Sequence, residues 1–585
     1  MRPIHVILYT LLTIFVLILV SVLVLAFIIW SVSDTTPTVA NNSTLVISLA
    51  GDIPEYQPPS DLPIPLKKTS ALKNILDNID KAKVDSRIKG ILLRINVNFM
   101  GWAKIDELKQ KLADFKQSGK YVIAYLGSVV SEKEYYLALA ADSIFAVPGA
   151  FMEMNGLAIE TVHLPGLFEK LGISIDYFAY GKYKSHSGET LGRKKHTAPV
   201  LEMLNSLVDW EYRHLVTAIA ERRQRPEKEV MAIIDRSYMT AEKFAELGWI
   251  DGLRYEDQLF DQLKVMNGIG TKEKLNQISS AAYDAISLES LGLNKGKHRI
   301  ALIYSQGVIQ ESSEGVNPLS FENVAEVQPM IQSIRRAAKS SLVKAIVFRV
   351  DSPGGSGLGC DLVWREILKA KEKKPVIVSM SDYAASGGYW VSMGATAIVA
   401  QPATLTGSIG IWSIFPNIAG LYDKLGLVEE NVKRGQYADM LLAARPLSDY
   451  EKQLLSDRLY LTYKDFVSKA ATARNMSYAA LEPYAQGRSW MGEQAKAFGL
   501  VDELGGIEKA IAVAKEKAGL PATERVRVVV FSSEKSWIEK LLSTSVFSYL
   551  FKNVNTFNLQ SLWQQMSEAK KGLAWPLLPY RIQIH

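Results

Sequence analysis

Lys374-Pro375-Val376-Ile377 is a second version of Lys120-Tyr121-Val122-Ile123, found 254 positions later in the chain (374 − 120). The same offset relates pairs of identical residues over a long ungapped stretch. These pairs are Tyr135 and Tyr389, Ala141 and Ala395, Ile144 and Ile398, Ala146 and Ala400, Pro148 and Pro402, Gly156 and Gly410, Gly181 and Gly435, and Tyr183 and Tyr437. A register of this length at one fixed spacing indicates two copies of one domain.

Each copy alternates strands with helices. Mostly apolar runs bounded by polar residues predict buried strands, and helical patterns lie between them. The predicted strands are residues 90–95, 121–126 and 143–147 in copy one and residues 345–350, 376–380 and 397–400 in copy two, and the predicted helices include residues 132–141 and 386–395. Strands that alternate with helices indicate an α/β fold with largely parallel sheets and right-handed crossovers.

The composition is that of a folded protein. Of the 585 residues, 48% are hydrophobic and 22% are charged, which is enough to form sizeable cores. The formal net charge of +6 is spread along the chain rather than concentrated in a run, so we expect no nucleic acid partner. Cys360 is the only cysteine in the sequence, which excludes an intrachain disulfide framework and a cysteine-rich metal site.

The amino terminus has the pattern of a membrane anchor. Residues 6–30 carry no formal charge, and a helix of this length reaches roughly 37 Å, more than the ~30 Å hydrocarbon core of a bilayer. No small-x-small cleavage site follows, so we expect an uncleaved signal anchor. Arg2 precedes this segment and Asp34 follows it, so the positive-inside tendency places the short end in the cytoplasm and the remainder outside it.

The repeat and the anchor together predict six segments. They are a transmembrane signal anchor (1–30), a polar tether (31–43), an N-terminal repeat domain (44–265), a connector (266–297), a C-terminal repeat domain (298–520) and a C-terminal extension without a partner in the repeat (521–585). The two repeat domains differ at positions where chemistry could occur, and those differences indicate the functional site.

Ala385-Ser386-Gly387-Gly388 lies between a predicted strand and a predicted helix of copy two. A serine there could expose its hydroxyl where free amide groups at the helix start stabilise an oxyanion. The alternative is that Ser386 only caps the helix. Its repeat partner is Glu132, so copy one lacks this nucleophile.

A nucleophilic serine needs a base, and none of the seven histidines lies beside the serine motif, although His186 is a distant candidate. A lysine held neutral by burial is the alternative. Lys184 stands where copy two has Ala438, just as Ser386 stands where copy one has Glu132. This reciprocal loss predicts one site completed by a residue from each copy, with the neighbouring Lys182 as the competing base.

A second motif, Asp351-Ser352-Pro353-Gly354-Gly355-Ser356, follows a predicted strand of copy two. Its glycines let the backbone approach an anion closely and present N–H groups to it. The motif is neither a Walker A loop nor a dinucleotide-binding fingerprint, because it lacks the residues that close those motifs. Its counterpart in copy one, residues 96–100, has lost the paired glycines.

With these motifs the chain resembles the signal peptide peptidase A family, also called protease IV, in its long two-domain bacterial form. The residues that carry the resemblance are Gly181-Lys182-Tyr183-Lys184-Ser185, Asp351-Ser352-Pro353-Gly354-Gly355-Ser356, Ala385-Ser386-Gly387-Gly388 and Gly407-Ser408-Ile409-Gly410. The resemblance implies a tandem repeat of Clp-protease/crotonase-like domains with Ser386 as nucleophile and Lys184 as general base. It also implies that Ser408 orients the lysine, that Gly354, Gly355 and Gly387 form the oxyanion hole, and that no metal or organic cofactor takes part.

The same resemblance implies a serine peptidase of the bacterial inner membrane, with its catalytic domains on the periplasmic side. Its expected substrates are cleaved signal peptides and other apolar peptides, and its expected assembly is a homotetramer. The N-terminal helix would contact membrane lipid. Two alternatives stay open: a crotonase-like acyl-CoA enzyme, which uses the same kind of fold, and a membrane scaffold with a catalytically dead protease fold.

Overall fold

The computed structural model describes residues 37–57, 70–270, 272–312 and 323–532, with four isolated positions before them. The predicted anchor at residues 6–30 and most of the predicted C-terminal extension lie outside these ranges. Within the described ranges, no helix is both long enough and apolar enough to cross a membrane.

Copy one is built on a six-stranded, wholly parallel sheet with the strand order β8-β5-β3-β2-β1-β9. Two short strands, β4 and β6, pair with each other outside this sheet. The strands of copy one are β1 (Ser43–Gly51), β2 (Ile88–Asn98), β3 (Tyr121–Leu126), β4 (Val129–Ser131), β5 (Ser143–Ala146), β6 (Phe151–Glu153), β7 (Ser174–Tyr180), β8 (Gly252–Leu253) and β9 (Gln277–Ser279).

Copy two repeats this plan in an eight-stranded sheet. Its main path is β18-β16-β14-β13-β10-β20; β15 pairs with β14 and β19 with β15, and only the β16–β18 pair is antiparallel within this sheet. The strands are β10 (His298–Gln306), β11 (Val308–Gln310), β12 (Val324–Glu326), β13 (Val343–Ser352), β14 (Val376–Ala385), β15 (Ala397–Ala400), β16 (Leu405–Gly407), β17 (Ile411–Asn417), β18 (Ser489–Met491), β19 (Glu503–Leu504) and β20 (Val526–Val530).

Helices follow the strands in both copies, as the sequence pattern predicts. Those of copy one and the segment after it are Leu72–Val84, Trp102–Lys116, Glu132–Ala138, Pro165–Leu171, His186–Gly192, Ala198–Arg223, Glu227–Ile234, Ala241–Glu246, Glu256–Met266, Ser280–Tyr283 and the 3₁₀ turn Glu289–Leu291. Those of copy two are Val327–Lys339, Gly357–Lys371, Gly387–Met393, Ala419–Leu425, Asp449–Ala473, Tyr478–Leu481, the 3₁₀ turn Glu482–Tyr484, Gly492–Ala497 and Ile507–Lys517.

The central strands are apolar on both faces because helices cover both sides of each sheet. Ile91, Leu92 and Leu93 of β2 are all fully buried, as are Ile346 and Val347 of β13. Parallel strands covered on both faces read as continuous apolar runs rather than alternating ones. This is why the sequence pattern identifies these strands, and the α/β class is confirmed.

Each sheet extends beyond the segment that the repeat comparison assigns to its domain. Strand β9 pairs with β1, and β20 pairs with β10, both in parallel. Strand β9 lies in the predicted connector and β20 at the start of the predicted C-terminal extension. Both strands therefore take the same place, beside the first strand of their own sheet.

The two copies are joined by an antiparallel pair formed by β7 of copy one and β17 of copy two. The pairing runs over seven residues, from Tyr180 opposite Ile411 to Ser174 opposite Asn417. Since β7 leads directly into the turn that carries Lys184, this pairing places the lysine of copy one against copy two.

A buried ionic cluster also connects the copies. The Arg349 guanidinium of β13 donates from Nε to Glu55 Oε2 at 2.8 Å and from Nη2 to Glu107 Oε2 at 2.5 Å. It donates from Nη1 to Ser379 Oγ at 2.9 Å as well. Both glutamates belong to copy one and all three charged side chains are buried, so the guanidinium compensates two carboxylates that water cannot reach.

Replacing Arg349 with leucine should therefore destabilise the fold strongly. Arg349→Leu leaves Glu107 buried without its cation and Glu55 with only Lys104, at 3.8 Å, a loss of about 3–5 kcal/mol. The measurement is the urea midpoint of unfolding of the detergent-solubilised protein. Arg335→Leu is the matched control, because Arg335 is half exposed and its partner Glu366 also lies near Lys369; it should leave the midpoint almost unchanged. Equal midpoints for the two variants would contradict this role of Arg349.

Candidate active site

Ser386 lies between the end of β14 and the helix Gly387–Met393, with φ 57° and ψ −112°. A positive φ is strained for serine, and such backbone strain clusters at functional sites. The Ser386 N–H donates to the Gly407 carbonyl at 2.8 Å, which holds this conformation in place. The side chain does not cap the helix, so the interpretation of Ser386 as a simple helix cap is wrong.

The Ser386 hydroxyl instead faces Lys184, which lies in the turn between β7 and the helix His186–Gly192. Lys184 Nζ lies 2.7 Å from Ser386 Oγ, 2.9 Å from Ser408 Oγ and 3.2 Å from the Ser408 carbonyl oxygen. All three side chains are fully buried. The structure thus brings the lysine of copy one and the two serines of copy two together within hydrogen-bonding distance.

Burial sets the protonation of this lysine. The dry environment lowers the pKa of Lys184 to about 7, and loss of hydration is the sole cause. Its three contacts are to uncharged oxygen atoms, so none offsets the cost of burying a positive charge. A large fraction of Lys184 is therefore neutral near pH 7, which is the form that accepts a proton.

The turn that carries Lys184 rests on residues 486–488 of copy two. The Tyr183 N–H donates to the Gln486 carbonyl at 3.0 Å, and the Ser408 N–H donates to the Arg488 carbonyl at 2.7 Å. Gly487 has φ +74°, and a Cβ there would lie 2.6 Å from the Lys184 backbone nitrogen and even closer to Lys184 Cβ. Only glycine permits this approach.

The Arg488 side chain contacts the same turn through Tyr183. Its guanidinium lies 4.8 Å from the centre of the Tyr183 ring and 4.4 Å from that of Trp490, and Nη1 donates to the Tyr183 hydroxyl at 2.8 Å. The contact links the residue next to Lys184 with the strand β18 of copy two. Residues 486–488 could not be predicted from the sequence, because a turn that positions another residue carries no chemical motif of its own.

Gly354, Gly355 and Gly387 lie close together beside Ser386. A Cβ on Gly387 would lie 2.9 Å from the Gly355 nitrogen and 2.6 Å from Cys360 Sγ, so the two glycine backbones are in contact. The Gly355 N–H donates to no other group in the described part of the chain, and the Gly387 N–H is in the first helical turn, where amides lack intrahelical acceptors. These two amides are available to an anion.

Gly354 contributes differently from the expectation for an oxyanion donor. Its N–H donates to Ser352 Oγ at 3.2 Å, and its carbonyl accepts the Ile309 N–H at 2.9 Å. With φ +121° it also adopts a backbone conformation that favours glycine. Gly354 therefore shapes the loop that presents Gly355.

The two other candidate bases are placed differently from Lys184. Lys182 is exposed and extends over the Tyr183 ring, with Nζ 4.8 Å from its centre. His186 is buried in the helix that follows Lys184, and burial together with the nearby Lys184 lowers its pKa to about 3. Of the three candidate bases, Lys184 is the one that lies within hydrogen-bonding distance of Ser386 Oγ.

Copy one has Glu132 at the position equivalent to Ser386, and this side chain makes different contacts. Glu132 Oε1 accepts the N–H groups of Asn155 and Gly156, each at 2.8 Å. Gly156 is the repeat partner of Gly410, so this glycine is common to both copies although Ser386 is replaced by Glu132. The described part of the chain thus holds one serine–lysine pair, assembled from both copies.

Comparison with known proteins matches both halves of the chain to one family. The sequence profile of Peptidase family S49 matches residues 114–269 and 369–521. The chloroplastic serine protease SPPA of Arabidopsis thaliana is 37% identical over 86% of this chain and 73% of its own length. Protease 4 of Salmonella typhi is 32% identical over 77% of this chain and 72% of its own. A putative signal peptide peptidase SppA of Enterococcus faecium is 32% identical over 41% of this chain and 69% of its own.

The close approach at Gly487 generates a prediction about activity. Gly487→Ala should lower peptide hydrolysis by on the order of 100-fold, because the new methyl group displaces the backbone of Lys184, and misplacement of a catalytic group by about 1 Å has an effect of this size. The measurement is kcat/KM on an apolar peptide, with circular dichroism to check the fold.

Gly499→Ala is the matched control. Gly499 has a similar φ of +77°, but no atom lies within 4 Å of its added Cβ. The two variants therefore share the backbone strain, and only Gly487→Ala moves the lysine. Equal activity in the two variants would show that the approach at Gly487 does not position Lys184.

Proposed function

Because this chain belongs to peptidase family S49 and contains the family domain twice, we propose that it is a membrane-anchored endopeptidase with a Ser386–Lys184 dyad that degrades cleaved signal peptides and other apolar peptides. The chain is a serine peptidase of that family, and the motif-based resemblance is confirmed. The observation that carries the dyad is the 2.7 Å contact of Lys184 Nζ with Ser386 Oγ in a dry site between the copies.

Acylation uses the neutral form of the lysine. As Ser386 Oγ attacks the carbonyl carbon of the peptide bond, the hydroxyl proton passes to Lys184 Nζ. The carbonyl oxygen gains negative charge and accepts hydrogen bonds from the Gly355 and Gly387 amides. The ammonium of Lys184 then gives its proton to the leaving amine, and a water molecule activated by the same lysine releases the acyl group from Ser386.

Ser408 orients the lysine for this proton transfer. A neutral amine has two N–H donors and one lone pair. When the two N–H groups donate to Ser408 Oγ and to the Ser408 carbonyl, the lone pair faces the Ser386 hydroxyl. Ser408 has φ +50°, so its backbone is held in an uncommon conformation that turns both oxygens toward Lys184.

Location and substrate follow from the amino terminus and the family. Residues 6–30 serve as an uncleaved anchor in the bacterial inner membrane, and the catalytic domains lie on the periplasmic side. An anchored peptidase meets apolar peptides where they are left after cleavage of secreted proteins. The relative from Enterococcus faecium carries the name of a putative signal peptide peptidase, which supports this substrate class. A homotetramer is the assembly we propose.

Substitution of each dyad residue tests the mechanism. Ser386→Ala should abolish hydrolysis of an apolar, signal-like peptide, and Lys184→Ala should reduce kcat by about 100- to 10,000-fold, the usual contribution of a general base. Lys182→Ala should retain most activity, because this exposed side chain does not contact Ser386. Full activity of a folded Lys184→Ala enzyme would exclude the dyad, and inactivity of Lys182→Ala alone would assign the base to Lys182.

The depressed pKa of Lys184 predicts the pH dependence. Below pH 7 the amine is protonated and cannot accept the Ser386 proton, so kcat/KM should rise with pH through about 7 and level off above it. The measurement is the pH profile for an uncharged peptide between pH 5 and 10. A profile that rises only near the ordinary lysine pKa of 10.5 would contradict a base that is neutral by burial.

A further inference from the structure

A cavity of about 400 Å³ lies between the copies at the position in copy one that corresponds to the dyad of copy two. Copy one contributes Glu132, the repeat partner of Ser386, and Glu211 of the helix Ala198–Arg223. Copy two contributes Asp382, Tyr383 and Leu405. The mechanism uses none of these side chains, so the cavity is separate from the catalytic machinery. We refer to it as the acidic cavity.

Acidic residues outnumber basic residues in the lining of this cavity. Seven carboxylates but only two lysines, Lys104 and Lys133, line the acidic cavity. Lys104 is already engaged, because its Nζ lies 2.8 Å from Asp351 and 3.6 Å from Asp382. The acidic cavity therefore has more carboxyl groups than its own lysines can pair with.

One carboxyl oxygen of Glu211 lacks a hydrogen-bond partner in the described part of the chain. The residue is only 6% exposed, and its Oε2 is enclosed yet accepts no hydrogen bond within the described part of the chain. An enclosed carboxyl oxygen without a donor is costly in free energy. Burial raises the pKa of Glu211 well above its ordinary value; the charge of Lys133, which lines the same cavity, opposes this rise, and repulsion from Asp106 and Asp382 adds to it. A ligand with a positively charged donor would satisfy the group.

Glu132 provides a second carboxylate for the same ligand. Its Oε1 accepts two backbone N–H groups, and no lysine or arginine forms an ion pair with it in the described ranges. Glu132 is 3% exposed and lines the cavity that Glu211 also lines. Two buried carboxyl groups that form no ion pair within the described ranges therefore border one space, which Lys133 also lines.

The walls favour an organic cation over a metal ion. Met100, Leu207, Leu405 and Met491 supply apolar surface, which suits the aliphatic stem of a lysine or arginine side chain. Among the described residues, no three histidine, cysteine, aspartate or glutamate side chains are grouped closely enough to hold a metal ion. The chemistry that fits is a long side chain with a charged N–H donor at its end.

The acidic cavity is within reach of a peptide bound at the dyad. Tyr383 lines it and Ser386 follows three residues later; Leu405 lines it and Ser408 also follows three residues later. Three residues of extended chain cover roughly 10 Å. An extended peptide with its reacting carbonyl at Ser386 would need about three residues to reach the cavity.

We propose that the acidic cavity binds a lysine or arginine side chain of the peptide substrate, about three residues from the bond attacked at Ser386. The placement relative to Ser386 rests on the proposed function, whereas the binding of the cationic side chain does not. Signal peptides carry a positively charged segment before their apolar segment, so the site would select peptides that combine both features.

Binding to the full-length, detergent-solubilised Ser386→Ala protein tests the proposal without turnover. Two fluorescent apolar peptides are compared by anisotropy, one with a single lysine and one with norleucine at that position. We expect the lysine peptide to bind about tenfold more tightly, as for a hydrogen bond to a charged group. Glu211→Gln, and separately Glu132→Gln, should remove most of this preference and leave the norleucine affinity unchanged.

Glu221→Gln is the matched control, since Glu221 lies on the same helix as Glu211 but is exposed. It should keep the full preference for lysine. Equal affinity for the two peptides, or a lysine preference that survives both Glu211→Gln and Glu132→Gln, would overturn the proposal. Calcium or magnesium binding by calorimetry that is lost in Glu211→Gln, with no lysine preference, would overturn it in favour of a metal site.

Hydrolysis separates this proposal from the proposed function. In the Ser386-containing enzyme, Glu211→Gln should cleave the norleucine peptide at the unmodified rate and lose about tenfold in kcat/KM for the lysine peptide. If no variant hydrolyses either peptide while the anisotropy preference persists, the proposed peptidase mechanism fails and the cation site stands. If hydrolysis is normal and indifferent to lysine in every variant, the cation site fails and the mechanism stands.

Discussion

The removal of water from Lys184 is the constraint on which the rest of this structure depends. A lysine in solution is protonated at neutral pH and cannot accept a proton from serine. Here the amine is enclosed by both copies and contacts only uncharged oxygens, so its pKa falls to about 7. Neither copy could create this environment alone, because copy one supplies the lysine and copy two supplies the residues that contact its amine. Catalytic competence and interdomain packing are therefore the same physical requirement.

The remaining contacts between the copies serve that enclosure. The β7–β17 pair sets the orientation of copy one against copy two. Gly487 of copy two allows the turn that carries Lys184 to approach its backbone closely. Arg349 forms ion pairs with Glu55 and Glu107, which are buried between the copies. Duplication also left a second, similar position. There Glu132 replaces Ser386, and a cavity bordered by buried carboxyl groups replaces the serine–lysine pair. On our proposals, the position in copy two serves catalysis and the equivalent position in copy one serves substrate binding.

Much of this architecture was predictable from sequence, for identifiable reasons. The fixed 254-residue offset exposes the duplication, and strands buried on both faces, such as residues 121–126, appear as unbroken apolar runs. Comparing the two copies position by position singles out Ser386 against Glu132 and Lys184 against Ala438. Other features depend on tertiary structure. Strands β9 and β20 do not keep the repeat offset, the turn at residues 486–488 has no motif, and Glu211 becomes notable only when its burial and missing partner are known. The Gly354 amide was expected at the oxyanion, but its hydrogen bond to Ser352 assigns it to the loop itself.

The central claim is that one reactive serine exists per chain and that a lysine from the other copy activates it. The most direct test is stoichiometric labelling with a serine-directed acylating probe, followed by mass spectrometry of the intact protein and of its peptides. The account predicts one adduct per chain, located on Ser386, forming faster as the pH rises through about 7, and absent from folded Lys184→Ala. An adduct at another residue, or undiminished labelling of Ser386 in Lys184→Ala, would contradict it.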